Sequence, residues 1–236
     1  LKILGIIPAR GGSKGVPNKN TKLLGGKPLI AYTIESAKHS RLLTDFIVST
    51  DSNTIAETAK TYGADIPFMR PTELATDTAK SIDVVLHALN EMQQKGKSYD
   101  AVILLQPTYP FRPEGFIDQA IQQFISSGNN SLISVLPVPH EYNPHWVFEP
   151  DNKGFLHLAT GEKEIIPRRQ DLPPAFFRDG SIYITTTEVL KNNKSFYGNH
   201  LGYIVAHKDR YVNIDTLEDW ERAEELIETL LKHGGQ

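Results

Sequence analysis

The residues of this chain best suited to chemistry lie in one stretch, IIPARGGSKGVPNKN, residues 6–20. It combines Gly11, Gly12 and Gly15 with the cations Arg10, Lys14 and Lys19. Glycines let a backbone approach a ligand closely and turn sharply. The N–H groups so freed, those around Ser13 included, can form an anion-binding nest. A nest with fixed cations beside it is a phosphate cradle, and three cations suit a triphosphate better than a single phosphate. The spacing is neither the G-x-x-x-x-G-K-[ST] of a Walker loop nor the G-x-G-x-x-G of a dinucleotide fingerprint. A solvated glycine-rich turn with ordinary surface lysines has the same composition, so the stretch by itself leaves both readings open.

Such a loop needs elements to hold it. Residues 2–7 read as a short buried strand that ends at Pro8, directly before the loop. Further strands are expected at 45–50, 66–69, 101–105, 131–138, 180–185 and 202–206, and helices at 27–40, 53–62, 78–95, 113–127 and 217–232. The helix over 78–95 carries Ile82, Val85, Leu86, Leu89 and Met92 on one face, and Asp77 is expected to cap it. This alternation predicts an α/β fold: an open, mostly parallel twisted sheet with helices on both faces, in a single domain over 1–236. Ligands in such sheets bind beyond the carboxyl ends of the strands, where the glycine loop begins. The pattern breaks at about 139–179, a Pro-rich, aromatic segment with no clean helix. It reads as an extension that packs on a partner subunit or covers a substrate.

The bulk composition narrows the function. With 236 residues and 39% apolar residues, one large domain with a core is possible. A net charge of −3 argues against a general nucleic-acid binder and makes the basic loop a local feature, suited to a small anionic ligand. No run approaches the length of a membrane span, and no signal peptide is expected. The absence of cysteine excludes disulfides, thiolate metal sites and cysteine nucleophiles and fits a cytoplasmic setting. The eight histidines form no H-x-x-x-H or H-E-x-x-H pair. His140 and His145 read as packing or substrate-shell residues.

The glycine loop resembles the signature of the CMP-sialic acid synthetases, or acylneuraminate cytidylyltransferases. The resemblance continues, in order, through VSTD (48–51), MRPTELATDTAKS (69–81), LLQPTYPFR (104–112), RRQDLP (168–173), FRDGSIYI (177–184) and NIDTLED (213–219). It implies a Rossmann-like nucleotidyltransferase that transfers CMP from CTP to the C2 hydroxyl of a nine-carbon sugar acid, with Mg²⁺ as cofactor and a homodimer as the assembly. It also implies roles. Arg10, Gly11, Gly12, Ser13, Lys14, Lys19 and Asn20 would bind the nucleotide, with Arg10, Lys14 and Lys19 on its triphosphate. Arg70 and Ser81 would lie against the cytidine.

The same resemblance places Gln106, Arg169, Arg178, Phe176 and Phe177 around the sugar acid. An amide at the end of a strand suits N-acyl or hydroxyl groups, and a guanidinium fits a carboxylate bidentately. Arg168 is a partner for the acid or a solvated residue. The family commonly carries two aspartates where this chain has Asn213 and Asp215. Asp215 supplies a hard oxygen for Mg²⁺ and Asn213 only a neutral carbonyl, and Asp215 could equally cap the last helix. N-acetylneuraminic acid is the expected substrate. Legionaminic or pseudaminic acid is the alternative, and a non-catalytic nucleotide-binding module is the reading from another class.

Overall fold

Runs of Ile, Val and Leu that cannot face water on either side become sheet interior. In the computed structural model, which describes residues 1–233, the strands in chain order are β1 (Ile3–Pro8), β2 (Leu23–Leu24), β3 (Lys27–Pro28), β4 (Asp45–Ser49), β5 (Ala101–Leu104), β6 (Ser131–Pro137), β7 (Phe148–Pro150), β8 (Leu156–Leu158), β9 (Phe176–Thr186) and β10 (Leu201–Val205). Six of them form one sheet in the order β10-β6-β9-β5-β1-β4. Strand β1 lies parallel between β4 and β5, β10 is parallel to β6, and β9 runs antiparallel between β5 and β6.

The helices are α1 (Leu29–Lys38), α2 (Asn53–Thr61), α3 (Ser81–Gln94), α4 (Phe116–Ser127), α5 (Thr187–Asn193) and α6 (Leu217–His233). Alternation along β1 assigns them to two faces. Ile3 and Ile7 pack with Ile30 and Ile34 of α1, Ile55 of α2 and Phe116 of α4. Leu4 and Ile6 pack with Val85, Leu89 and Met92 of α3 and Leu190 of α5. A third cluster lies beside the sheet. There Trp220, Ala223 and Ile227 of α6 enclose Val16 of the glycine loop together with Leu24, Leu29, Val212 and Ile214.

Four expectations need correction. Residues 66–69 form no strand; the sheet gains only an isolated parallel bridge from Ile47 to Asp65. The segment is too short, with Pro67 in its middle, to extend that bridge. Helix α1 begins at Leu29 because Lys27 and Pro28 pair with β2. Helix α3 begins at Ser81, with Lys80 in the cap position and no side-chain cap bond, so Asp77 caps nothing. Phe176 and Phe177, expected in the irregular extension, open the 11-residue β9. The extension before them contains short 3₁₀ turns and the β7–β8 hairpin.

Strand β9 is irregular at a functionally relevant point. Tyr183 pairs with Ile133 and Arg178 with Val135, so four residues, 179–182, stand opposite Ser134 alone. The Ser134 hydroxyl accepts from the Ile182 N–H (2.8 Å) and donates to the Asp179 carboxylate, closing this bulge. Gly180 at its turn has φ +88°, a conformation that favours glycine.

Candidate functional site

The glycine loop leaves β1 and is fixed at both ends. The Ala9 N–H donates to Ser49 O of β4 (3.0 Å), and the Gly11 N–H donates to Asp51 Oδ1 (3.0 Å). Val16 is wholly buried under α6. Asn18 takes φ +53°, which asparagine tolerates, and its carbonyl accepts from the Thr21 and Lys22 N–H groups (2.9 Å each). Asn20, 6% exposed, donates its amide to Arg10 O across the loop (3.1 Å).

Gly11 and Gly15 serve close approach rather than left-handed turns, since neither has a positive φ; Gly12, also without one, faces open space. A Cβ on Gly15 would lie 1.9 Å from the Asp215 carbonyl oxygen, and one on Gly11 3.1 Å from Ser52 Cβ. The N–H groups of Gly12, Lys14 and Gly15 have no acceptor among the described residues. The loop therefore offers free donors for an anion.

The segment 212–216 crosses the loop from the other end of the chain. The Ile214 N–H donates to Thr108 O (2.9 Å), behind β5. Lys19 Nζ donates to Ile214 O (2.7 Å) and Asp215 Oδ1 (3.2 Å). Asn213 Nδ2 donates to Asp215 Oδ2 (2.7 Å), so Asn213 orients the carboxylate. Capping of α6 falls to its neighbours. The Thr216 hydroxyl accepts from Asp219 N–H (3.2 Å), and Asp219 Oδ2 accepts from Thr216 N–H (2.9 Å). The capping alternative for Asp215 is thereby removed.

Between these two segments and the start of α3 lies a cleft of about 320 Å³. Arg10, Ser13, Lys14, Lys19, Asn20, Arg70, Ser81, Gln106 and Asp215 all line it, so nine of the sequence-predicted residues converge. Arg70, 6% exposed, donates to Ser49 O and to Ser49 Oγ (3.1 Å); burial pushes its guanidinium down to about 10, still charged at neutral pH. Asp77 also lines the cleft, ion-paired to Arg10 (2.7 Å) and to Lys14. These bonds, from Lys14 first and Arg10 second, hold its carboxyl below the usual range. Four cations thus face two carboxylates, an arrangement suited to a polyanion.

Gln106 belongs to the same wall, and a residue outside the predicted set holds it. Arg112, 7% exposed, donates from Nη2 to Gln106 O (2.8 Å), from Nη1 to Tyr109 O (2.7 Å) and Thr33 Oγ1 (3.0 Å), and from Nε and Nη2 to Ser181 O (3.2 and 2.9 Å). It clamps the Gln106 turn to the β9 bulge, where Gly180 passes close to the Gln106 side chain. Asp179 in that bulge is 3% exposed, and burial raises its pKa. Arg112 stood in the quoted LLQPTYPFR motif, but only the long-range bonds reveal its task. Asp77 likewise stands in a quoted motif, MRPTELATDTAKS, but the helix it would cap starts four residues later.

The other predicted residues lie outside the cleft. Arg169 sits exposed on a 3₁₀ turn with no ion pair among the described residues, beside Arg168, which is bonded to Asp171 (2.7 Å). Arg178 donates to Tyr183 Oη (3.0 Å). Phe176 packs on Tyr203 and Phe177 on Tyr211, at ring separations of 5.0 and 5.9 Å, and both remain over a third exposed. A larger cavity of about 430 Å³, between α1, α6 and the turn before α4, contains none of the predicted residues.

Residues 4–233 match the cytidylyltransferase family. The chain belongs to this family. Its resemblance to the CMP-sialic acid synthetases holds at that level. It is 40% identical, over 97% of both chains, to the CMP-N,N'-diacetyllegionaminic acid synthase of Legionella pneumophila. It is 34% identical to the N-acylneuraminate cytidylyltransferase of Escherichia coli O18:K1:H7, over 94% of this chain and 51% of that protein. The fold of this cytidylyltransferase-family chain matches a CMP:2-keto-3-deoxy-manno-octonic acid synthetase complexed with CTP, at a TM-score of 0.72 and 16% identity, over 97% of this chain and 99% of that one. Among the described residues, no helix is long and apolar enough to cross a membrane.

Proposed function

We propose that this protein is a cytidylyltransferase that joins CMP from CTP to a nine-carbon sugar acid. The observation that carries the reading is the convergence of Arg10, Lys14, Lys19, Arg70, Ser81, Gln106 and Asp215 in one cleft of a cytidylyltransferase-family chain. The acid's C2 hydroxyl oxygen attacks the α-phosphorus, the bond to the β-phosphate oxygen breaks, and pyrophosphate and a proton are released. Charge builds on the departing phosphates. Arg10, Lys14, Lys19 and the free N–H groups of Gly12, Lys14 and Gly15 are placed to stabilise it. Lys19 is the least hydrated of the three cations, with 13% side-chain exposure against 81% for Lys14, so its charge is the least screened. Asn20 shapes the loop, and Arg70 and Ser81 form the wall for the cytidine.

Mg²⁺ is the cofactor in this proposal. Among the described residues no three His, Asp or Glu side chains gather into a self-sufficient metal site. Asp215, more than half exposed, fits the alternative in which one carboxylate and the substrate phosphates share the ion. When bound, Mg²⁺ would neutralise phosphate charge; Asn213 and Lys19 hold the Asp215 carboxylate in place for it.

For the acid, N,N'-diacetyllegionaminic acid fits at least as well as the N-acetylneuraminic acid expected from the sequence, because the 40% identical relative extends over nearly both full lengths. Arg169 is the proposed partner of the acid's carboxylate and Gln106 of its acyl or hydroxyl groups, with Arg178, Phe176 and Phe177 at the rim. The stretch 142–177 carries Tyr142, Phe148, Phe155, Leu156, Phe176 and Phe177 as exposed apolar side chains. A second copy of the chain would bury them and close the acid's side of the cleft, so the working form is a homodimer. Sedimentation at micromolar concentration should give twice the chain mass; a monomer would remove that part of the proposal.

The decisive assay offers CTP and Mg²⁺ with N-acetylneuraminic, N,N'-diacetyllegionaminic or pseudaminic acid in turn and weighs the product. Pyrophosphate release with the mass of one CMP–sugar acid is expected. CTP binding without release for any of the three would leave a nucleotide-binding module.

A further inference from the structure

The phosphate-ready cations of the cleft already hold carboxylates. Lys19 is on Asp215, while Arg10 and Lys14 share Asp77, one oxygen each. Asp77 lies in a loop, 75–80, between the 3₁₀ turn Thr72–Leu74 and α3. The loop touches the glycine loop at one further point, Arg10 Nη1 to Ala75 O (3.4 Å). The Asp77 carboxylate does nothing for its own segment. Among the described residues it caps no helix, accepts no backbone N–H and has the two cations as its only partners. A carboxylate bridging a guanidinium and an ammonium makes the contacts that two phosphate oxygens would make in its place.

We propose that Asp77 is an internal stand-in for nucleotide phosphate, holding Arg10 and Lys14 together in the free protein and exchanged for phosphate oxygens when a triphosphate enters. The identity of that triphosphate rests on the cytidylyltransferase reading. The physics runs in two directions. Arg10 and Lys14 repel each other unless an anion lies between them, so Asp77 keeps the cradle assembled. The same carboxylate would repel an incoming polyanion, so it must leave as the phosphate arrives. Its position at the solvent edge, with Lys14 mostly exposed, makes the contact screened and exchangeable. Loop 75–80 runs directly into Ser81, the first residue of α3 and part of the cleft wall. Release of Asp77 therefore frees the segment next to the wall that meets the nucleotide.

Calorimetric titration of inorganic tripolyphosphate and of CTP, without sugar acid and with or without Mg²⁺, tests the exchange. Asp77→Asn should bind tripolyphosphate roughly three- to tenfold more tightly than wild type, with the gain shrinking as salt rises. Asp77→Glu, which keeps the charge, should stay near wild type. Unchanged or weaker tripolyphosphate binding in Asp77→Asn overturns the proposal, and weakening confined to Mg²⁺-containing buffer overturns it in favour of a metal ligand. Should Asp77→Asn fail to fold, tighter binding by Asp77→Ser carries the same meaning and unchanged binding the same refutation. If tripolyphosphate binding tightens while CTP binds no better than GTP, the exchange stands and the cytidine reading falls.

Discussion

The two halves of the proposed site are built differently. The nucleotide half is assembled from residues anchored in the core. Val16 is buried under α6, and Arg70 and Asn20 are themselves buried. In the acid half Gln106 is clamped at the cleft wall through Arg112, while Arg169, Arg178, Phe176 and Phe177 lie exposed on the extension and the start of β9. In the proposed site the residues assigned to phosphate share one cleft, whereas those assigned to the acid, Gln106 apart, lie outside it. This division fits the chemistry: phosphate transfer demands fixed charge, while recognition of the acid can be supplied by whatever surface closes over it.

The comparison can be broken or sharpened in order of effect. Lys19→Ala should lower kcat/KM for CTP by about 10²–10³, the scale of losing one fixed donor to developing charge; wild-type kinetics would remove Lys19 from the cradle. Gly15→Ala forces a Cβ onto the Asp215 carbonyl, so urea unfolding should show a loss of about 1–3 kcal/mol. An unchanged midpoint would mean that the two segments can part without cost. Arg169→Ala should raise KM for the acid roughly tenfold while leaving calorimetric CTP binding as it was. An equal fall in CTP binding would erase the boundary between the halves.

The smallest effect concerns the wall between them. Burial raises the Asp179 pKa, so its ionised form costs stability above the folded pKa, and that cost is relieved as pH falls. Asp179→Asn should therefore gain about 1 kcal/mol over wild type at pH 8. The gain should shrink as pH falls toward the ordinary carboxylate range, read from melting temperatures across the pH series. A gain that grows on acidification would reverse the assignment.

The parallel strands and their helices were legible because buried strands and amphipathic helices write their period into adjacent residues. The cleft was legible too, since the residues that line it cluster in a few motifs at strand ends. The losses share a cause. Asp77 was given to a nearby helix because a local capping signal is easy to read, and its pairing with Arg10 and Lys14, more than 60 residues away, is not. Arg112 gives no local sign that it joins Gln106 to Ser181. The start of β9 at Phe176 depends on pairing with Leu136 and Pro137, so prolines and aromatics before it masked a strand.

The burial of Val16 beneath α6 has a consequence for biosynthesis. All six strands of the sheet are present once Val205 has been made. The residues that cover Val16 and approach Lys19 (Val212, Ile214, Asp215, Trp220, Ala223 and Ile227) all follow Val205. A nascent chain can therefore reach its complete sheet before it has a cradle. The glycine loop is translated before α6, so the cover over Val16 can form only after every strand of the sheet has been made.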